Sequence, residues 1–295
     1  MPFVATLVSH PAGRGIAPAL ARSAQQALRA TEPDWLSPGF ACDLALPESI
    51  DAAEATARLR ETLADAEVDC AVLDTASRRK RLLLADMDST IIEQECIDEL
   101  ADEVGVKDRV ASITERAMRG EIAFAPALRE RVALLKGLEV AVIGRVLESR
   151  ITLASGAKTL IATMRKHGAW TALISGGFEA FTGPIAQRVG FDEHQANRLI
   201  ADGDHLAGLV EEPILGREAK ADALQSISKR IGLELADTLA VGDGANDLGM
   251  IEIAGLGVAL HAKPAVAAAA QVRVDHGDLT ALLFLQGYRQ TEFAT

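Results

Sequence analysis

The sequence has few cysteines, no excess of basic residues and no long apolar run. Its three cysteines, Cys42, Cys70 and Cys96, form neither a metal-ligand spacing nor an even set, which favours a reduced, cytoplasmic protein. No uncharged run approaches the roughly 20 residues that span a bilayer, and the first residues do not resemble a signal peptide. Lys and Arg number 30 against 42 Asp and Glu, a net charge of −12, which argues against a nucleic-acid partner.

With 295 residues, of which 49% are hydrophobic, the chain can form two domains or one domain with an insertion. Residues 1–78 read as a small α/β unit with three strands, in "FVATLVSH", "ACDLALP" and "VDCAVLD", and helices over 17–29 and 51–66. The basic cluster "SRRKR" at 77–81 follows, and a charge run of this kind predicts a solvated connector.

Residues 79–295 carry short, continuous apolar runs separated by helical segments, the pattern of parallel strands buried on both faces. The runs are "RLLLAD", "AWTALIS", "TLAVGD" and "GLGVAL". They predict an α/β fold with a doubly wound, mostly parallel, Rossmann-like sheet, which binds ligands at the carboxyl ends of its strands. Helical periodicity over about 95–153 predicts a helical cap insertion, and residues 196–211 predict a hairpin around "DGD".

Asp86 and Asp88 follow the apolar run "RLLLA" in the motif "DMDST". A carboxylate at the end of a buried strand can act as a nucleophile that forms an aspartyl-phosphate. In an extended stretch the side chain two residues later returns to the same face, so Asp88 can act as general acid and then base. The alternative is that one of the two merely caps a turn.

The segment "ISGGF" follows the second predicted core strand. Ser175 offers a hydroxyl donor, while Gly176 and Gly177 allow backbone N–H groups to approach an anion closely. A following helix would add its positive N-terminal end. Because most S-G-G tripeptides are ordinary turns, only the position after a core strand makes this segment a candidate anion site.

The segment "VGDGANDLGM" places Asp243 and Asp247 around a glycine-rich turn. Together with Asp86 they form an oxygen-rich set that suits Mg²⁺. An EF-hand is excluded because Ala245 takes its third position, and the glycines do not fit a dinucleotide-binding fingerprint. A phosphate site also needs a fixed cation, and spacing alone does not separate Lys220 from Arg217 or Lys229.

In this order, "DMDST", "SGG", a helical lysine and "GDGAND" resemble the four motifs of the haloacid-dehalogenase-like hydrolase superfamily. Over about 81–285, "DMDSTIIEQECIDELA", "SGGF", "ANRL" and "GDGANDLGM" resemble its phosphoserine phosphatase family. The resemblance implies hydrolysis of phosphoserine to serine and phosphate, the last step of serine biosynthesis. The roles that it implies are Asp86 as nucleophile, Asp88 as acid/base, Ser175 and Lys220 on the phosphoryl group, and Mg²⁺ held by Asp86, the Asp88 backbone carbonyl and Asp243, supported by Asp247.

The same resemblance gives the cap a role in substrate selection. It implies that Glu95 receives the substrate ammonium and Arg131 its carboxylate, that Phe124 lines the pocket, and that Gly176 and Asn246 contact substrate or phosphate. From the residues alone, Glu95 and Arg131 are equally well read as solvated helix charges. Phosphothreonine or phosphohomoserine remains an alternative substrate, and a non-catalytic amino-acid sensor is the alternative from another class.

The N-terminal unit resembles the ACT-like regulatory module of some bacterial members of this family. The match rests on the alternation of strands and helices, and only three strands are evident where a full βαββαβ unit has four. Amino-acid binding, dimerisation and a purely structural role all stay open for this unit, as does a homodimer for the whole protein.

Overall fold

The N-terminal domain is a four-stranded antiparallel sheet covered on one face by two helices, as seen in a computed structural model that describes residues 3–118 and 121–294. Its elements are β1 (Phe3–Val8), α1 (Pro18–Leu28), β2 (Asp34–Ser37), β3 (Ala41–Ala45), α2 (Ala52–Thr62) and β4 (Asp69–Asp74). The strand order is β2-β3-β1-β4 and every neighbouring pair is antiparallel.

The strand count in this domain corrects the sequence prediction, which had three strands and missed β2. This strand is only four residues long, lies at the sheet edge between Pro33 and Pro38, and is irregular in its register with β3 between Trp35 and Ser37. A short edge strand framed by prolines carries little alternation that a pattern can detect. With β2 included, the domain is a complete βαββαβ unit.

The larger domain is built on six parallel strands in the order β12-β11-β10-β5-β6-β7, which confirms the predicted α/β fold. The strands are β5 (Leu82–Ala85), β6 (Trp170–Phe178), β7 (Glu193–Asn197), β10 (Thr238–Gly242), β11 (Leu256–Leu260) and β12 (Val272–Val274). The four predicted strands form the centre. The two edge strands were missed because "EHQAN" and "VRV" expose polar residues rather than forming a continuous apolar run.

Helices cover both faces of this sheet, as the alternation of side chains along β5 shows. Leu83 and Ala85 pack into one core, with α7 (Ala157–Lys166), α8 (Glu179–Val189) and α12 (Ala281–Leu285). Leu82 and Leu84 point to the opposite face and pack with α9 (Arg217–Arg230), α10 (Leu248–Ile253) and α11 (Pro264–Ala269). The sheet is therefore buried on both faces, and its ligand edge is the one where the strands end.

A helical cap is inserted between β5 and α7, with Ile92 and Leu153 bridged at its base. Its helices are α3 (Cys96–Glu103), α4 (Lys107–Met118), α5 (Phe124–Ala133) and α6 (Ala141–Ser149). The predicted hairpin is confirmed as β8 (Leu199–Asp202) and β9 (His205–Val210). Gly137 N–H donates to the Leu206 carbonyl at 2.8 Å, so the hairpin braces the cap.

The charge run at 77–81 had predicted a solvated connector, and the structure bears this out only in part: Ser77, Arg79 and Arg81 are exposed, but Arg78 and Lys80 are not. The Arg78 side chain is 10% exposed and bonds Asp43 at 2.6 Å, Thr6 at 2.9 Å and the Leu285 carbonyl at 3.0 Å. Lys80 is also buried, and its Nζ donates to the Ala236 carbonyl at 2.7 Å. These basic groups find acceptors on both domains, so they join the domains rather than extend into solvent.

Within 3–118 and 121–294, no helix has both the length and the apolarity that crossing a membrane requires.

Candidate active site

The two central strands bring two aspartates side by side at the carboxyl edge of the sheet. Asp86 follows the end of β5 and Asp243 follows the end of β10, and the Asp86 N–H donates to the Val241 carbonyl at 3.0 Å. This backbone hydrogen bond fixes the register of Asp86 relative to the neighbouring strand β10. Asp86 is 4% exposed and Asp243 9%, so both carboxylates are buried at this edge.

Lys220 is the buried cation of the site. It lies in the first turn of α9, is 1% exposed, and its Nζ lies 2.5 Å from Asp86 Oδ1 and 2.6 Å from Asp247 Oδ1. Arg217 faces Glu252 at the surface, and Lys229 is exposed in the last turn of the same helix. Of the three cations that the sequence left open, the structure therefore brings Lys220 to the carboxylates.

Asp247 is tied to its surroundings through both carboxylate oxygens. Oδ1 bonds Lys220, and Oδ2 accepts the Gly244 N–H at 2.9 Å. A side chain at Gly242 would lie 2.3 Å from the Asp247 carboxyl carbon, so only glycine fits at that point of β10. Because its oxygens are already engaged, Asp247 suits a supporting position rather than the centre of the site.

The residues present fit a hard divalent cation. Asp86, Asp243 and Asp247 bring carboxylate oxygens within 4.8 Å of one another, and Lys220 alone cannot neutralise three buried carboxylates. Among the described residues, none donates a hydrogen bond to the Asp243 carboxylate, which leaves its oxygens available. An all-oxygen set with few carboxylates is the kind that Mg²⁺ prefers.

Burial, and after it the crowding of negative charge, raises the pKa of Asp86 and Asp243. Burial and the charge of Asp247 raise the pKa of Asp243 to about 6. The pKa of Asp86 is raised by burial and by Asp247, although Lys220 opposes this. Burial lowers the pKa of Lys220, but Asp247 and Asp86 outweigh it and raise that pKa, so the lysine stays charged. Burial and mutual repulsion thus both disfavour the charged carboxylates, and a bound cation would favour them.

Asp88 lies at the same edge of the sheet and is held by the first residue of the cap helix α3. The Cys96 N–H donates to Asp88 Oδ1 at 3.0 Å, and the Ser175 hydroxyl donates to Oδ2 at 3.4 Å. Burial and the neighbouring charge of Glu95 raise the pKa of Asp88 to about 7. A carboxyl group in this range can both give and take a proton near neutral pH.

The segment from Ser175 to Phe178 is the last part of β6. It is therefore extended, whereas most S-G-G tripeptides form turns. Its pairing with β7 becomes irregular between Ile174 and Phe178, and α8 begins directly afterwards at Glu179. The Gly177 N–H donates to the Ser175 hydroxyl at 2.8 Å. A side chain at Gly177 would lie 2.7 Å from Asp88 Oδ2, so glycine is required for this close approach.

Phe124 and Asn246 both lie close to Gly176. Phe124 is the first residue of α5, and its Cζ would lie 3.0 Å from a Cβ at Gly176. The Asn246 Nδ2 would lie 3.8 Å from the same position. The cap therefore reaches the carboxyl edge of the sheet at Gly176.

Glu95 and Arg131 lie on the side of the cap that faces Asp88. Glu95 is exposed and accepts the Ser89 hydroxyl at 2.8 Å, whereas Arg131 is half-buried. Burial lowers the pKa of Arg131, and the charges of Asp98, Glu95 and Asp88 oppose this effect. Arg131 therefore lies within the field of three carboxylates rather than on a solvated helix face. Among the described residues, Arg131 and Glu95 form no ion pair with each other.

Two residues that shape the site received no role from the sequence. Asn197, in "ANRL", bonds the Gly176 carbonyl at 2.8 Å, and Thr114 accepts from Arg131 Nη1 at 3.2 Å. Both contacts join segments that are far apart in the chain, and neither residue type signals a site by itself. For Asn197, the signal in the sequence is the resemblance of "ANRL" to the family sequence.

Comparison with known proteins agrees with this geometry. Residues 83–252 match the haloacid dehalogenase-like hydrolase family model. The phosphoserine phosphatase of Archaeoglobus fulgidus is 46% identical over 215 residues, which are 72% of this chain and 62% of that protein. The chain thus spans less than two thirds of this relative's length.

Two solved structures extend the similarity to the N-terminal domain. A haloacid dehalogenase family hydrolase of Salmonella enterica serovar Typhi has a TM-score of 0.87 and 28% identity, covering 96% of this chain and 98% of that one. A probable phosphoserine phosphatase of Vibrio cholerae has a TM-score of 0.78 and 31% identity, covering 99% of this chain and 88% of that one. By the extent of these matches and the four motifs at one sheet edge, the chain belongs to the haloacid dehalogenase-like hydrolase family.

Proposed function

We propose that this protein is a Mg²⁺-dependent phosphoserine phosphatase that forms an aspartyl-phosphate on Asp86. The observation that carries the proposal is the buried set of Asp86, Asp243, Asp247 and Lys220 beside a proton-exchanging Asp88. A nucleophile, a metal-ligand set and an acid/base group at one edge of the sheet serve phosphoryl transfer, whereas an amino-acid sensor needs none of them.

In the first step, an Asp86 oxygen attacks phosphorus and the bond to the serine oxygen breaks. Asp88 gives its proton to that leaving oxygen, so serine departs neutral at the hydroxyl. Ser175 and Lys220 hold the phosphoryl oxygens. Lys220 also favours the charged form of the Asp86 carboxylate and orients it through their 2.5 Å contact.

In the second step, Asp88 takes a proton from a water molecule, whose oxygen then attacks phosphorus. The bond between phosphorus and Asp86 breaks, phosphate leaves, and Asp86 is regenerated as a carboxylate. Both steps require Asp88 to lie close to the segment that contains Ser175. Gly177 allows this close approach because it has no side chain. Mg²⁺, held by Asp86, Asp243 and the Asp88 backbone carbonyl with support from Asp247, would supply neutralisation of phosphoryl charge.

The cap supplies recognition of the amino acid. Arg131 uses Nε for the Ala127 carbonyl and Nη1 for Thr114, which leaves the rest of its fork for a substrate carboxylate. Glu95 lies near Asp88 and is exposed, so it would receive the ammonium group. Phe124 and Asn246, which both approach Gly176, would flank the substrate. Curated relatives named phosphoserine phosphatase support this choice of substrate over other phosphomonoesters.

The test is phosphate release from L-phosphoserine, phosphothreonine, phosphohomoserine and p-nitrophenyl phosphate, with and without Mg²⁺. We expect preference for phosphoserine and loss of activity with a chelator. Activity on the other esters alone would retain the chemistry and overturn the substrate. No release from any ester by folded, Mg²⁺-supplied protein would overturn the enzymatic proposal.

For the protein as a whole, we propose a cytoplasmic enzyme of serine biosynthesis without nucleic-acid or membrane partners. An ACT-like ligand-binding role for the N-terminal domain and a homodimer stay predictions.

A further inference from the structure

Asn197 is a buried amide that no step of the proposed reaction uses. It ends β7, is 2% exposed, and lies opposite Phe178 in the pairing with β6. Its Nδ2 donates to the Gly176 carbonyl at 2.8 Å and to the Leu215 carbonyl at 3.2 Å. Its Oδ1 accepts the Leu215 N–H at 2.7 Å. One side chain thus bonds two backbone segments at once.

The two segments that Asn197 joins lead to the two predicted phosphoryl-binding groups. Gly176 directly follows Ser175, while Leu215 directly precedes Gly216, the N-cap of the helix that carries Lys220. No backbone ladder connects these segments in the described part of the chain, because Leu215 lies outside the strands of the sheet. The Asn197 amide is therefore a direct hydrogen-bonded link between them.

The same separation determines how a cap residue fits. A Cβ at Gly176 would lie 3.0 Å from Phe124 Cζ, and a Cβ at Gly216 would lie 3.1 Å from Phe124 Cδ1. The Phe124 ring thus occupies a slot between two glycines, and Asn197 joins the backbone of both walls. A change in the width of this slot would alter both the positions of Ser175 and Lys220 and the packing of Phe124 of the cap.

We propose that Asn197 is a positioning residue that sets the distance between the Ser175 segment and the Lys220 helix, and with it the slot for Phe124. The expected effect on turnover rests on the proposed function. The expected effect on binding applies to the phosphoryl group of any ester. A purely structural amide would affect stability and leave the folded enzyme's phosphate affinity unchanged.

The main test is Asn197→Asp, which keeps the size and the Oδ1 acceptor but removes both donated bonds. We expect kcat to fall by about 10- to 100-fold on both phosphoserine and p-nitrophenyl phosphate, since small misplacements of positioned groups cost about this much. In calorimetry with Mg²⁺ present, the affinity for inorganic phosphate should fall with it.

Gln286→Glu is the matched control, because Gln286 is a buried amide that bonds Lys80 just before β5, whereas Asp86 follows the other end of that strand. Its Nε2 donates to the Leu282 carbonyl at 2.9 Å and its Oε1 accepts the Lys80 N–H at 3.0 Å. We expect this variant to lower the unfolding midpoint while phosphate affinity stays the same. An Asn197→Asp protein with wild-type phosphate affinity, or an equal loss of affinity in Gln286→Glu, would overturn the proposal.

Gly216→Ala keeps the test open should Asn197→Asp not fold. The backbone at Gly216 is extended, with φ −117° and ψ −153°, so alanine adds only a methyl against Phe124. We expect kcat/KM for phosphoserine to fall more than kcat/KM for p-nitrophenyl phosphate, because Phe124 belongs to the cap. Equal effects on the two esters, or no effect on either, would contradict the slot proposed for Phe124. If the wild-type protein hydrolyses p-nitrophenyl phosphate but not phosphoserine, the proposed substrate is wrong. The Asn197 proposal is then still tested by the affinity for inorganic phosphate, which does not depend on the identity of the ester.

Discussion

The carboxyl edge of the sheet and the cap hold their charged groups in opposite ways. At the sheet edge, Asp86, Asp247 and Lys220 are at most 4% exposed, and Lys220 bonds the two aspartates at 2.5 and 2.6 Å. In the cap, Glu95 is exposed and Arg131 retains unused donors. The groups assigned to chemistry are thus fixed by their neighbours, whereas those assigned to recognition keep hydrogen-bonding capacity for a ligand. Chemistry and selectivity should therefore be separable by mutation.

The largest effect is expected for Asp86→Asn, which removes the nucleophile. Turnover of phosphoserine and of p-nitrophenyl phosphate should both fall by about 10⁴-fold or more, because both need the same aspartyl-phosphate. Phosphate-release assays on the purified variant measure this. A variant that retains a tenth of the activity on either ester would contradict the assigned nucleophile.

Lys220→Met should impair both activity and stability. It leaves Asp86 and Asp247 buried without their cation, which costs about 3–5 kcal/mol of unfolding free energy when a buried pair is broken. Turnover should fall on both esters. Urea unfolding and phosphate release measure the two effects, and Lys229→Met, exposed in the same helix, is the control. Equal behaviour of the two variants would contradict the buried role.

Arg131→Met tests the cap side of the comparison. Its kcat/KM for phosphoserine should fall by about 10²-fold, because a charge-assisted bond to the substrate carboxylate is lost. Activity on p-nitrophenyl phosphate should change little, since that ester has no carboxylate. Arg129→Met is the control, because Arg129 is exposed in the same helix and pairs with Glu212 at 2.5 Å.

The pH dependence should differ between the two esters. Burial and Glu95 raise the pKa of Asp88 to about 7, so below that pH the group is protonated and can donate to the leaving serine oxygen. As pH rises above about 7, kcat/KM for phosphoserine should fall, by up to about tenfold per pH unit. The p-nitrophenolate group leaves without a proton, so its profile should be flatter. Identical profiles would contradict the acid role.

The smallest effect is expected for Thr114→Val, which removes one hydrogen bond from Arg131 and keeps the side-chain shape. A loss of about 0.5–1.5 kcal/mol corresponds to a KM for phosphoserine raised by about 2- to 10-fold, with kcat nearly unchanged. Steady-state kinetics measures both constants. A fall in kcat on both esters would show that Thr114 acts beyond the cap.

The sequence predicted the elements whose residues carry strong local patterns. Continuous apolar runs such as Leu82 to Ala85 predicted the central strands, and the aspartates that follow them predicted the ligand edge. Weak patterns failed. Short edge strands such as β2 and β12 bury few side chains, so their residues do not alternate or cluster enough to be distinguished from loops.

Contacts between distant segments could not be read from the sequence. The choice of Lys220 over Arg217 needed the helix phase and the burial of its ammonium group. The burial of Arg78 depends on Asp43 and on carbonyls more than 200 residues later in the chain. Asn197 likewise gains its role only where β6 and the loop before α9 meet. Such pairings are set by the tertiary fold, which no local pattern encodes.

The most direct test of the separation between chemistry and recognition is the ratio of kcat/KM for L-phosphoserine to that for p-nitrophenyl phosphate, in the wild type and in Arg131→Met. The account predicts that the wild type strongly favours phosphoserine and that the substitution lowers the ratio by about 10²-fold through phosphoserine alone. An unchanged ratio, with both esters slowed equally, would contradict the assignment of recognition to the cap.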